Sequence, residues 1–265
     1  MTERLRGRML PWVSTPLLLI AVVLLWKLSI AVFGISEFVL PQPERVARET
    51  AKLVSGGAVW PHVATTLTET VVGFLIALVL GVALGAVLGR IVWLERALRP
   101  LIVASQVVPK VALIPLFVVW FGFGMTSKII TAAILAFFPV MLNVLLGVRS
   151  IDAGQRDVMR SLNASRWQTF WRLEYHATLP YVLAGMEIGI VFAIIGSVVG
   201  EFLGGNKGLG FLVVEALNAL QADRLFAIIL VLTVLGFLLF LLVVGLKRFL
   251  IPWHESVRTT DQVSA

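Results

Sequence analysis

Cysteine is absent from this chain. Disulfides, thiol nucleophiles and cysteine-ligated metals are therefore excluded, although the compartment is not thereby identified. Charge is scarce: 14% of the residues are charged and 59% are hydrophobic, whereas a soluble domain is about a quarter charged and half apolar. No G-x-x-x-x-G-K-S/T occurs. Gly204-Gly205-Asn206-Lys207-Gly208 is glycine-rich but wrongly spaced, so no phosphate cradle for ATP is evident. His62, His176 and His254 are scattered, suggesting neither a metal site nor a Ser/His pair. Gly196-Ser197-Val198-Val199-Gly200 is not a nucleophile elbow. The expectation is a chain that is not an enzyme and holds no metal or cofactor of its own.

What the chain does have is long apolar runs, with a mean hydropathy of +0.97. They point to an all-α, polytopic membrane protein. Six spans are expected at about 14–33, 66–89, 99–120, 128–148, 181–202 and 225–246. Only helices or closed barrels satisfy their backbone in lipid, and these runs lack the alternation of barrel strands. One transmembrane domain at 14–250 is expected, between an N-terminal segment, 1–13, and a tail, 251–265. Arg4, Arg6 and Arg8 precede the first run as in a signal peptide, and Ser29-Ile30-Ala31 resembles a weak cleavage site. The run exceeds the ~7–15 residues of a signal core, which favours a retained span.

A net charge of +7 suits topology better than nucleic acid in such a chain. Arg4, Arg6, Arg8, Arg90, Arg96, Arg99, Arg149, Arg156, Arg160, Arg166, Arg172, Lys247, Arg248 and Arg258 fall on one side. Arg45, Arg48, Lys52, Lys128, Lys207 and Arg224 fall on the other. Both termini and the segment 149–180 are thus expected in the cytoplasm. On the outer side, Phe211, Val214, Leu217 and Leu220 recur at intervals of three, suggesting a short surface helix after a glycine loop.

Gly73, Ala77, Gly81, Gly85 and Gly89 recur at intervals of four in the second span. Gly185, Gly189 and Ala193, then Gly196, Gly200 and Gly204, repeat the device in the fifth. Such ridges let another helix approach closely, either within the subunit or across a dimer seam.

The stretch from Arg156 to Pro180 is basic, aromatic and helix-patterned. A helix is expected over about 155–162, ended by Asn163 in a left-handed turn. Ser165-Arg166-Trp167-Gln168 forms a capping box. The second helix, to about Leu173, carries Trp167, Phe170 and Trp171 on one face, and Pro180 begins the next span. Aromatic and arginine clusters of this kind anchor interfaces. Topology alone, or docking of the aromatics on headgroups, are the plainer uses.

This loop resembles the EAA loop of the permease subunits of binding-protein-dependent ABC importers. That pattern is Glu-Ala-Ala, three residues, Gly, then a spaced Leu-Pro. Here the matching positions are Asp157, Val158 and Met159, then Asn163, then Leu179 and Pro180. Asn keeps the turn-forming role of Gly, while the bulkier Val and Met change the surface offered to a partner. Pro109–Gly124, Ser127-Lys128, Phe137–Val140, Asn143–Asp152, Gly200–Gly210 and Pro252-Trp253 resemble the nitrate/sulfonate/taurine group of these permeases.

The resemblance implies a type I importer permease fold of about six transmembrane helices. It implies two permease subunits, expected as a homodimer, two ATPase subunits that hold ATP and Mg, and an extracytoplasmic solute-binding protein. By the same resemblance Asp157, Val158, Met159, Asn163, Ala164, Ser165, Arg166, Trp167, Phe170, Trp171, Leu179 and Pro180 would take the push of the ATPases. The alternatives are a secondary carrier, which needs inverted repeats, or a membrane assembly protein without transport. Dependence on an ATPase separates them.

Charges within spans are functional candidates. Lys110, between Pro109 and Pro115 in a broken third span, is expected to line a pathway for a polar or anionic solute, with Glu69 and Glu187 as further pathway candidates. Its alternative is to snorkel or to pair with Glu69 or Glu187. Lys27 is expected to snorkel. Glu201, with Gly208 and Gly210, is expected at an outer gate or at the docking site of the binding protein.

Overall fold

The computed structural model describes residues 2–252, with side chains from Pro16 onward. Trp253, the rest of the tail, and the side chains of Arg4, Arg6 and Arg8 lie outside that description. The described residues form helices and connecting turns, with no strand among them. In chain order the helices are α1 (Thr2–Phe33), α2 (Pro43–Ser55), α3 (Trp60–Arg90), α4 (Val92–Val107), α5 (Ile114–Phe121), α6 (Met125–Arg149), α7 (Ala153–Ser161), α8 (Arg166–Thr169), α9 (Tyr175–Gly204), α10 (Leu209–Asn218) and α11 (Ala222–Leu250).

Five helical segments are long and apolar enough to cross a bilayer: Pro16–Phe33, α3, α6, Arg166–Gly204 and α11. A sixth candidate is the pair formed by α4 and Lys110–Phe121, which meet at an 84° bend. The break expected in the third span, 99–120, is present. Pro109 cannot donate to the helix ladder, and the chain passes through one 3-10 turn, Lys110–Leu113, before Pro115 opens α5.

The core is a trio of mutually packed helices, α3, α6 and α9, with α6 packed most extensively against the other two. Phe74 and Ala77 of α3, Ala132 and Ala136 of α6, and Leu183, Met186 and Ile190 of α9 share one buried cluster. The small-residue ridges decide this packing. A methyl group on Gly73, Gly81, Gly85 or Gly89 would lie within 3.0 Å of Ala132, Val140, Met141 or Val148, all on α6. From α9, Gly189 and Gly196 meet the same Val140 and Ala132. Both ridges thus serve contacts within the subunit.

Two elements differ from the sequence expectation. The fifth span does not begin at Pro180. Helix runs on from Arg166 through a π-turn, Phe170–Glu174, into α9, and Pro180 sits inside it. The Tyr175 N–H donates to the Phe170 carbonyl, so the ladder is carried past the loop and the proline is accommodated within it. In α10 the buried residues are Leu209, Gly210, Leu212 and Ala216, whereas Leu217 and Leu220 are exposed. A strict interval of three turns backward by about 60° per step on a 3.6-residue helix, so Phe211, Val214, Leu217 and Leu220 cannot share one face. Spacings of three and four keep Leu209, Leu212 and Ala216 together.

Candidate functional site

The loop after α6 is built by local capping at every joint. Asp152 caps α7, its carboxylate accepting from the Gly154 N–H at 2.6 Å. At the far end Asn163 has φ of 50°. Its N–H donates to the Arg160 carbonyl, and the Ala164 N–H reaches the Met159 carbonyl at 3.0 Å. This is a Schellman turn with asparagine at its left-handed position. Ser165 then accepts from the Gln168 N–H at 3.2 Å, while the Gln168 side chain accepts from the Ser165 N–H at 2.8 Å. The expected helix, turn, capping box and second helix are all present.

The loop has two faces. Arg156 and Arg160 lie one turn apart on α7, and Val158 lies opposite them. Val158, Leu162 and Trp167 are exposed. Trp167, Phe170 and Trp171 pack ring to ring, with centroids 5.3–6.0 Å apart. Arg90, the last residue of α3, pairs with Glu174 and stands over the Phe170 ring, so the loop is tied to the membrane domain as well as continuous with α9. Leu179 is partly buried against the core.

Lys110 has no carboxylate partner among the described residues. Its Nζ lies 4.8 Å from the centre of the Phe138 ring. It lines a cleft of about 380 Å³ with Gln106, Leu135, Phe138 and Phe192. The two carboxylates expected as partners are taken elsewhere. Glu187 pairs with Lys247 of α11 at 3.1 Å, and Glu69 pairs with Lys128 at 3.2 Å. Lys27 pairs with Glu44 at the start of α2.

Lys128 belongs to no exposed outer connection. It is buried on the first turn of α6, and Glu69 and Glu201 are buried with it. Glu201 accepts from the Thr66 hydroxyl at 2.6 Å and from the Gly210 N–H at 2.5 Å. Thr66 in turn accepts from the Leu209 N–H, and the Thr70 and Ser197 hydroxyls meet at 2.7 Å. Gly208 has φ of +114°, and a methyl group there would fall 2.0 Å from Glu201 Oε1. The sequence reading gave Lys128, Thr66, Thr70 and Ser197 no place in a site. The signal was present in the spacing of Thr66, Glu69, Thr70 and Gly73, which share one face of α3.

Comparison with known proteins follows this geometry. Residues 77–253 match the family described as "Binding-protein-dependent transport system inner membrane component". The riboflavin transport system permease protein RibX of Chloroflexus aurantiacus is 35% identical over 93% of this chain and 92% of its own length. The formylaminopyrimidine transport permease protein ThiX of Halalkalibacterium halodurans is 34% identical over 91% and 95%. The taurine transport system permease protein TauC of Escherichia coli is 32% identical over 97% and 98%. Among solved structures, an inward-facing form of the MetNI methionine ABC transporter has a TM-score of 0.53 at 20% identity, covering 72% of this chain and 93% of that one, which establishes the fold. The chain belongs to the inner-membrane permease components of binding-protein-dependent ABC importers, alongside the nitrate, sulfonate and taurine permeases.

Proposed function

We propose that two copies of this chain form the membrane pathway of an ATP-driven importer for a small polar or anionic organic solute. Sulfonates, taurine, nitrate-like anions and vitamins or their precursors form the candidate class, because relatives carry those names. Two ATPase subunits hold ATP and Mg and push on the segment 156–180. An extracytoplasmic solute-binding protein delivers the solute, and both termini lie in the cytoplasm.

The observation that carries this reading is the continuity of the loop with α9. The first helix, the Schellman turn and the capping box make a stiff unit, and no break separates it from the span. A displacement at Trp167 and Trp171 travels along a helix of about 45 Å, at 1.5 Å per residue over α9, to Glu201 at its other end. In this structure Glu201, Gly208 and Gly210 are buried, which favours the gate over a docking contact. The bent α4–α5 segment, with Pro109 and Pro115, places Lys110 in a cleft beside aromatic rings, where it draws in an anionic solute. ATPase closure must favour one of two arrangements of these spans by differential contact energy.

The test is a C-terminally tagged chain extracted in mild detergent from its native membrane. A stoichiometric ATPase is expected to co-purify and to be lost on Trp167→Ala/Trp171→Ala. A folded chain that recovers no ATPase would sink the reading.

A further inference from the structure

A basic cleft lies between this loop and the end of α3. The basic face of α7, the end of α3 and the start of the Arg166–Gly204 helix enclose an open cleft of about 830 Å³. Arg90, Arg156, Arg160 and Arg166 line it. Among the described residues two carboxylates offset them: Glu174, on Arg90, and Asp157, 3.2 Å from Arg160. Arg156 donates a single long bond, 3.4 Å, to the Val148 carbonyl. The Arg166 guanidinium has no partner among the described residues. Two positive charges are thus left over, in a cavity that contains aromatic rings.

Position selects the ligand. Arg90 ends one membrane span, Val148 lies in the last turn of another, and Trp167 and Phe170 of the cleft sit at the start of a third. Arginines clustered at the ends of spans attract anionic headgroups. Trp sits at the headgroup level, with its ring apolar and its N–H wet. Guanidinium forks match phosphate oxygens in pairs. The apolar face of α7, bearing Val158, points the other way and stays free for a protein partner.

We propose that this cleft binds the phosphodiester of one acidic phospholipid. The lipid wedges between α7 and the end of α3 and holds the loop at its working height against the membrane.

The test is native mass spectrometry of the full-length chain, in detergent, titrated with phosphatidylglycerol, phosphatidylcholine or inorganic phosphate. One tightly retained phosphatidylglycerol is expected, with phosphatidylcholine bound far more weakly. Arg156→Gln/Arg160→Gln should weaken it roughly 10–30-fold. Arg156→Lys/Arg160→Lys, which keeps the charge but loses the paired donors, should retain part of the binding. The same variants are checked for an unchanged thermal midpoint. Equal binding of both lipids would overturn the proposal. So would unchanged phosphatidylglycerol binding in the Gln variant. Displacement of the lipid by millimolar phosphate would reassign the cleft to a small anion. Loss of ATPase co-purification in the Gln variant, with lipid binding intact, would reassign it to a protein carboxylate.

Discussion

Lys128 Nζ stands 3.2 Å from Glu69 Oε1, and both side chains are almost wholly buried, at 3% and 0% exposure. Glu201, on α9, is buried as well and is held by the Thr66 hydroxyl and the Gly210 N–H. Removing one member of a buried pair typically costs about 3–5 kcal/mol, because the remaining charge is left uncompensated. Lys128→Met is expected to lower the thermal midpoint of the detergent-purified chain more than Glu69→Gln does, since Lys128 still reaches the Lys207 carbonyl at 3.4 Å, whereas Glu69 has no other cation beside it among the described residues. The double variant should recover part of the loss. A strictly additive double-mutant cycle would show that the pair is not coupled.

Gly208 is a position where only glycine fits. Its φ of +114° disfavours any side chain, and a methyl group would overlap Glu201 Oε1. Gly208→Ala is expected to cost more than about 3 kcal/mol and to release α10 from α9. Gly57→Ala, with φ of +78° and nothing within 4 Å, should cost only ~1–2 kcal/mol. Thermal unfolding of the two variants side by side makes the comparison, and equal losses would deny Glu201 its role in holding the loop.

The glycine ridge of α3 predicts a contrast with α11. Gly85→Ala drives a methyl group to 2.6 Å from the Met141 carbonyl and should destabilise by about 1–3 kcal/mol through overpacking. Gly245→Ala meets nothing within 4 Å and should be neutral, or stabilising by up to ~1 kcal/mol from helix propensity alone. The order of the two midpoints is the readout.

Leu220 holds a left-handed backbone, φ 55°, at the end of α10. The Gln221 N–H closes the turn onto the Ala216 carbonyl, as in the Schellman turn at Asn163. Leu220 is 76% exposed, so its side chain contributes little packing. Leu220→Gly should stabilise by about 1 kcal/mol. A lower midpoint would mean that the Leu220 side chain contributes more packing than its left-handed backbone costs.

Lys110→Met tests the pathway. In reconstituted vesicles containing ATPase and binding protein, uptake of the cognate solute is expected to fall at least tenfold while ATPase co-purification is unchanged. Lys110→Arg should keep part of it. Normal uptake in Lys110→Met would remove the lysine from the pathway.

The loop was legible because its signals are local. The Schellman asparagine, the capping box and the aromatic spacing each act within a turn or two of chain, and the structure has all three. Span existence was legible for the same reason, since a bilayer demands a run of apolar residues whatever lies beside it. The buried face of α10 was misread because intervals of three were taken as a face. The pairing of Lys128 was missed because it depends on which helices lie next to each other, 59 residues apart in the chain.

By itself the sequence determined that this is a helical membrane protein, where its spans lie, and that the loop before α9 is helix, turn and helix. Those outcomes follow from transfer of apolar side chains into lipid and from hydrogen bonding over short distances. Only the tertiary structure decided that both glycine ridges close on α6, that Lys128 and not Lys110 neutralises Glu69, and that the loop runs unbroken into α9. It also decided that four arginines converge on one cleft. Each of these is a relation between segments far apart in the chain, and spacing along a single helix carries no record of which neighbour its face will meet.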